Sequence, residues 1–549
     1  MTVQEKYKLW MNCYSMPDEL LSDLRSMDTD RMIDSFYRDL SFGTGGLRGV
    51  LGAGTNRMNI FTVIKATRGL GHYLKESFSC PSCAISYDSR IHSRDFAETA
   101  AAVLASMGIH VFLYPQLQPT PMLSFAVRHL HTSGGVMITA SHNPARFNGY
   151  KVYGPDGCQI TLEAAETIQG YIDREPIPAD SIPSFSAMLA SCDIEYIGQD
   201  TVEAYYQSVL KLRVRPVTEQ LHLVYSPLNG TGNVPVREIM SRLGNIHVDI
   251  VPEQELPDGH FPTCPYPNPE IREAMRLSIA RTAETGADLC FATDPDCDRM
   301  GAGVRSGNDV ILISGNDMGI LMLDYLCRNA SSLSSRVVVK TIVSTEMAAA
   351  VCRKYGIELR NVLTGFKFIG EQIALLESEG HPERFLFGFE ESYGYLSGTD
   401  VRDKDAVNAA LLLCDMAADL KAQGKNLLMR LDELRAEYGV FAQRLLSFEY
   451  DGENGARRMA AIMSSLRQPL SDFSEEDLRS SCRIDYLDSN TGLPKSDVLE
   501  FRFSDDRKFI VRPSGTEPKL KVYLFAHTTD PVSAEKDLDR LEALVSSLC

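Results

Sequence analysis

Apolar positions along most of the chain alternate between strand-like runs and helix-like stripes. Ala84–Asp88 (AISYD) is short, apolar and β-prone. After it, Phe96, Ala100, Val103 and Met107 recur at helical spacing, and Gly108 stops the stripe. This predicts a helix over Arg94–Met107 capped by Ser93, followed by a strand at Ile109–Tyr114 (IHVFLY). Strand, helix and strand make a βαβ unit and so a parallel sheet with a right-handed crossover. The pattern returns at 221–233 (LHLVYSPLNGTGN), where a strand enters a Gly-rich turn before a helix at Val234–Leu243 and a strand at His247–Val251. Strands ending in loops follow at 288–299 and 384–395, and 336–345 opens a third region. The last hundred residues differ: 498–503 and 508–528 read as antiparallel strands around one loop, before a helix at Val532–Leu548. The prediction is three α/β domains of related topology (1–210, 211–325, 326–445) plus a smaller C-terminal α+β domain (446–549).

A chain of 549 residues, 44% hydrophobic and 23% charged, has the make-up of a soluble protein with several cores. No apolar run reaches about 18 residues. Thr99–Tyr114 is broken by Ser106, Gly108 and His110, and MTVQEKYKLWMN has no apolar signal region. The expectation is a cytoplasmic protein with no membrane contact. Cys80-Pro-Ser-Cys83 lacks a second pair and does not read as a zinc site; the other cysteines are scattered and suit a reducing compartment. A net charge of −18 argues against nucleic acid and anionic lipid, and a phosphorylated ligand would need cations gathered locally.

Four loops after apolar strands carry candidate chemistry, at the strand ends where open α/β sheets bind ligands. In TASHNP (139–144), Ser141 is either a phosphoryl-carrying nucleophile, with His142 beside it, or a turn residue before Asn143-Pro144. In TDPDCDR (293–299), Asp294, Asp296 and Asp298 alternate, so their carboxylates can converge on a hard cation such as Mg²⁺, with Cys297 turned away. Arg299 adds a phosphate-binding fork. In GFEESYGY (388–395), Glu390 and Ser392 suit sugar hydroxyls. In RPSGTEPKLK (512–521), Arg512, Ser514, Gly515, Thr516 and Lys521 form a plausible phosphate cradle.

Together, in this order, the four segments resemble the loops of the α-D-phosphohexomutase family, and the E-E-S-Y-G-Y form is most similar to its phosphoglucomutase and phosphopentomutase branch. Pro295 departs from the family's usual Gly in the metal loop, and G-F-E-E departs from G-E-E in the sugar loop. The resemblance implies four domains around one central cleft. It implies an isomerase that moves a phosphoryl group between O1 and O6 of glucose phosphate through phosphorylated Ser141 and a sugar bisphosphate. Mg²⁺ would be held by Ser141, Asp294, Asp296 and Asp298, with glucose 1,6-bisphosphate as activator. It places Arg48 near the serine, Lys404 or His142 as general base, and Lys151, Thr364, Gly365 and Lys367 at the substrate. A phosphosugar is the expected partner of a monomer or small homo-oligomer. Phosphomannomutase and phosphopentomutase activities share the same parts, and FATDPDCD also has the D-x-D of a sugar phosphatase that would use Asp as nucleophile.

Overall fold

The computed structural model describes residues 1–450, 452–472, 476–488, 490–513 and 519–549. They fold around four sheets. The first runs Leu47–Val50, Phe147–Tyr153, Gly134–Ile138, Ser82–Tyr87, His110–Leu113, Ile194–Tyr196 from edge to edge. The second runs Asp309–Ile313, Met300–Ser306, Leu289–Thr293, Leu221–Ser226, Ile246–Ile250. The third runs Glu358–Val362, Val337–Thr341, Phe385–Glu390, Gly394–Leu396. The fourth, from Val440–Glu449 to Cys482–Asp485, is antiparallel throughout and covered by the helix Pro531–Leu548. The expected class, three α/β units and an α+β unit, is the observed one.

One device recurs in the first three sheets. A strand in parallel pairing ends in a loop, and the chain returns as its antiparallel neighbour. Gly134–Ile138 turns into Phe147–Tyr153, Leu289–Thr293 into Met300–Ser306, and Phe385–Glu390 into Gly394–Leu396. Three of the four candidate loops therefore hold the same topological position. Each turn contains a non-glycine residue at positive φ: Ser141 (51°), Cys297 (52°) and Tyr393 (66°). L-residues seldom adopt this region, so the surroundings must hold it.

The packing ties the first three units together. One apolar core runs beneath the second and third sheets (Tyr225, Phe291, Val338, Phe387) and takes in Tyr114, Met122 and Phe125 from the first. The buried helix Ala406–Ala422 runs through it. The fourth unit has its own core, around Phe501, Phe509, Val522 and Leu541. It docks on the third through a smaller cluster in which Ile342, Val343 and Leu363 meet Ile510, Tyr523 and Phe525. Lys508 Nζ lies 2.7 Å from Glu346 Oε1 across this junction.

Two local expectations change. Ser93 is the first residue of the helix Ser93–Ser106 and not its cap, which is His92 at φ 63°. The Ser93 hydroxyl donates to Asp88 Oδ1 at 2.6 Å instead, and it accepts from Asn148 Nδ2. The glycines of 437–455 suggest a flexible joint, yet Val440–Glu449 is a full strand paired along its length with Lys519–Thr528. Gly439, which precedes that strand, has φ 91°.

Candidate active site

The serine loop is held from below by a residue that sequence reading missed. Arg90, 3% exposed, donates to the carbonyls of Ser141 and Asn143, and at 3.0 Å to those of Pro144 and Phe147. Its Nε lies 3.3 Å from the Asp88 carboxylate. One planar fork thus gathers four carbonyls of the tight turn, where the Pro144 carbonyl also accepts from the Phe147 N–H at 3.0 Å. The Ser141 N–H donates to Thr139 Oγ1 at 2.8 Å, which fixes the entry to the turn. Ser141 Oγ donates to Asp294 Oδ2 at 2.9 Å and lies 3.3 Å from His142 Nδ1. The hydroxyl therefore faces the aspartate loop and does not cap local backbone, which weighs against the turn-only alternative. Burial, then the Arg299 and Arg48 guanidiniums, push the His142 imidazole well below its usual value.

The aspartates converge as the alternation predicts. Asp294, Asp296 and Asp298 each offer an oxygen within 4.8 Å of the others, and all are buried. Cys297 turns away into the apolar core, next to Gly232. Pro295 is accommodated by the Gly-rich turn: its carbonyl accepts from the Thr231 N–H at 2.8 Å, and a Cβ on Gly230 would come within 2.5 Å of its Cα. Lys151 Nζ sits 2.8 Å from Asp296 Oδ2, and Thr120 Oγ1 donates to the same oxygen at 2.9 Å. Burial acts to raise the Asp296 pKa, but the Lys151 ammonium outweighs it and keeps the carboxyl well below the usual range. Asp294 is pushed well up by burial and by the charges of Asp296 and Asp298. Asp296 Oδ1 and both Asp298 oxygens are buried without a hydrogen-bond partner. Lys404 Nζ lies 3.2 Å from Asp298 Oδ2, without hydrogen-bond geometry. Hard oxygen donors of this kind, clustered and unsatisfied, fit a divalent cation.

Above this floor opens a cleft of roughly 1240 Å³ lined from all four units. Arg48, His142, Arg299, Thr364, Gly365, Glu390, Ser392, Lys404, Arg512 and Lys521 all line it. Arg299 Nη1 is anchored on Glu270 at 2.6 Å, and Arg48 reaches Asn143 Oδ1 at 3.4 Å. Glu390 Oε1 accepts from the Gly365 N–H at 2.8 Å, which joins the sugar loop to the 364–367 loop. Thr364 Oγ1 is buried without a partner. Burial, and then the Glu390 charge, push Glu391 up to about 7. Burial acts to lower Lys404, but Asp298 and Asp403 outweigh it, so its ammonium is held charged. Lys151 lies beneath the cleft against the aspartates, and Lys367 places its Nζ over the Phe368 ring and outside the lining. Ser514, Gly515 and Thr516 lie outside the described residues. Thr120, Glu270, Glu391 and Asp403 join Arg90 as residues that sequence reading passed over.

Residues 39–177, 203–307 and 314–438 match the phosphoglucomutase/phosphomannomutase alpha/beta/alpha domains I, II and III, and residues 453–537 match the C-terminal domain of the same family. A Staphylococcus epidermidis protein named phosphoglucomutase is 36% identical over 523 residues, covering 93% of this chain and 95% of the relative. The crystal structure of a Thermus thermophilus protein described as a phosphomannomutase superposes with a TM-score of 0.69 at 23% identity, covering 93% of this chain and 99% of the other. The open form of Paramecium parafusin also gives 0.69, at 15% identity and 93% and 96% coverage. Matches to all four domains in order, and a relative this similar along nearly its whole length, place the chain in the phosphoglucomutase/phosphomannomutase family.

Proposed function

We propose that this chain interconverts glucose 1-phosphate and glucose 6-phosphate, with Ser141 as the phosphoryl carrier. The observation that carries the reading is the hydroxyl of Ser141, held 2.9 Å from Asp294 beside three converging buried carboxylates under a four-sided cleft. Asp294, Asp296, Asp298 and Ser141 would hold the cation, for which we propose Mg²⁺. Bound there, it would spread the charge of the phosphoryl group in transfer. In the chemical step a sugar hydroxyl oxygen bonds to phosphorus, the bond from phosphorus to Ser141 Oγ breaks, and the hydroxyl proton passes to a base. His142 and Lys404 both line the cleft. We propose either His142, 3.3 Å from Ser141 Oγ, or Lys404, paired with Asp298 and Asp403, as that base. The product is a sugar bisphosphate, which turns over and returns its other phosphate to Ser141. Added glucose 1,6-bisphosphate would load unphosphorylated enzyme by the same step in reverse.

Glu390 and Ser392 face the cleft where sugar hydroxyls would lie, and Arg299, Arg512 and Lys521 supply the local cations that a −18 chain needs for a phosphosugar. The two ends of the sugar exchange places, so the cradle around Arg512 serves either phosphate. The 36% identity to a protein named phosphoglucomutase favours glucose phosphate over mannose or pentose phosphate as the preferred substrate. Ser141→Ala should abolish turnover of glucose 1-phosphate while circular dichroism and melting stay unchanged. Near-normal activity in that variant would end the reading. A phosphoryl group found on an aspartate in place of Ser141 would favour the phosphatase alternative.

A further inference from the structure

A second cluster of ligating side chains lies on the second sheet, at the end away from the cleft. His222 and His247 stand directly opposite each other on the parallel strands Leu221–Ser226 and Ile246–Ile250. Side chains alternate along a strand, so Asp249 shares a face with His247. Their nitrogens and carboxylate oxygens all fall within 4.8 Å of one another. His222 Nε2 is 2.9 Å from Asp249 Oδ2, and His247 Nε2 is 3.8 Å from Asp249 Oδ1. The two rings lie 4.7 Å apart, tilted by 50°. At about 3.3 Å per residue, the cluster is roughly 20 Å from the aspartates of the cleft.

We propose that His222, His247 and Asp249 form a separate site for a borderline divalent cation of the Zn²⁺ class. Two imidazoles and one carboxylate are the donor set such ions take, whereas Mg²⁺ prefers oxygens alone. Ligands about 2.0–2.2 Å from a tetrahedral Zn²⁺ sit about 3.3–3.6 Å from each other. The separations of 2.9 Å and 3.8 Å run to different oxygens of Asp249, so closing the site would turn one of those oxygens toward both rings by side-chain adjustment. His247 is exposed, so solvent could supply the fourth ligand. The ion would staple the edge strand Ile246–Ile250 to its neighbour. Arg281, whose Nη2 lies 3.6 Å from Asp249 Oδ1, reaches the same carboxylate and competes with the ion. Asp288 accepts from the His222 N–H at 2.9 Å and pairs with Lys421, which leaves it spent on other partners.

The test is a ZnCl₂ titration of the full chain against a colorimetric chelator, with excess MgCl₂ present to occupy the cleft. Wild type should bind one more equivalent of Zn²⁺ than His247→Gln or His222→Gln, and affinity at that equivalent should fall by at least about tenfold in either variant. CoCl₂ in place of zinc should give visible bands of nitrogen and oxygen ligation that both variants lose. Equal zinc stoichiometry in wild type and variants would overturn the proposal. So would a cobalt spectrum dominated by thiolate charge transfer, because the ion would then sit on cysteines.

Discussion

Arg90→Lys isolates the positioning of the serine from the binding of the sugar. The guanidinium donates to carbonyls at 141, 143, 144 and 147, while touching none of the side chains that line the cleft opposite the serine. A lysine keeps the charge beside Asp88, but its single ammonium cannot span four acceptors arranged for a planar fork. With two bonds retained and two lost, at about 1.5–3 kcal/mol for each bond to a charged group, the loop gives up about 3–6 kcal/mol of gross support. That exceeds the about 1–3 kcal/mol that a residue such as Ser141 stores at positive φ, so the turn should relax. A displacement of the nucleophile of order 1 Å costs about 100-fold in rate. A coupled assay that reports glucose 6-phosphate should show kcat lowered by about that factor, with KM within about threefold of wild type. Phosphoryl loading of Ser141 from glucose 1,6-bisphosphate should slow in parallel. A variant that keeps kcat within about twofold, or that loses KM alone, would refute the argument that Arg90 sets the serine.

Other consequences are equally open to measurement. Asp296→Asn removes the negative charge that pairs with Lys151 and one of the two carboxylate oxygens offered to the cation, and should lower kcat by at least about 100-fold; chelation should silence the wild type, and activity that survives thorough chelation would remove the metal from the reaction. Arg512→Ala should weaken 1-phosphate and 6-phosphate binding by similar factors and release free bisphosphate, whereas loss for one isomer only would contradict a shared cradle. Glu346 is acted on by burial, which would raise it, but Lys340 and Lys508 outweigh that and hold it at about 2 against an ordinary 4.5. A depressed carboxyl stabilises the fold above its ordinary pKa and loses that contribution as pH falls toward the folded value. The melting-temperature advantage of wild type over Glu346→Gln should therefore be full near about pH 6 and shrink between about pH 4.5 and 2; an advantage independent of pH would refute the role given to this junction.

What the sequence shows and what it hides divide along chain separation. The four loops are legible because each places its strand, its turn and its reactive residues side by side, and the alternation of Asp294, Asp296 and Asp298 is itself the geometry that converges them. Arg90 is illegible because its partners lie at 141–147 and meet it only once Ser82–Tyr87 pairs with Gly134–Ile138. Thr120 and Lys151 reach Asp296 from another unit, which no local pattern announces. Ser93 has the look of a cap, but buried Asp88 and Asn148 claim its hydroxyl. The glycines of 437–455 suggest loose chain, yet strand pairing with Lys519–Thr528 orders most of that stretch. The shared core of the second and third units is likewise invisible to a reading that treats each βαβ repeat as self-contained.

The central claim is that Ser141 carries the phosphoryl group. The direct measurement is peptide mass spectrometry of the full-length protein after incubation with ¹⁸O-phosphoryl-labelled glucose 1,6-bisphosphate and MgCl₂, followed by a chase with unlabelled glucose 1-phosphate. The account predicts one labelled phosphoryl group, on the peptide that contains Ser141, replaced during the chase by unlabelled phosphate as the label appears in glucose 6-phosphate. Phosphate found only on another residue, or a labelled phosphate that the chase leaves in place on Ser141, would contradict it.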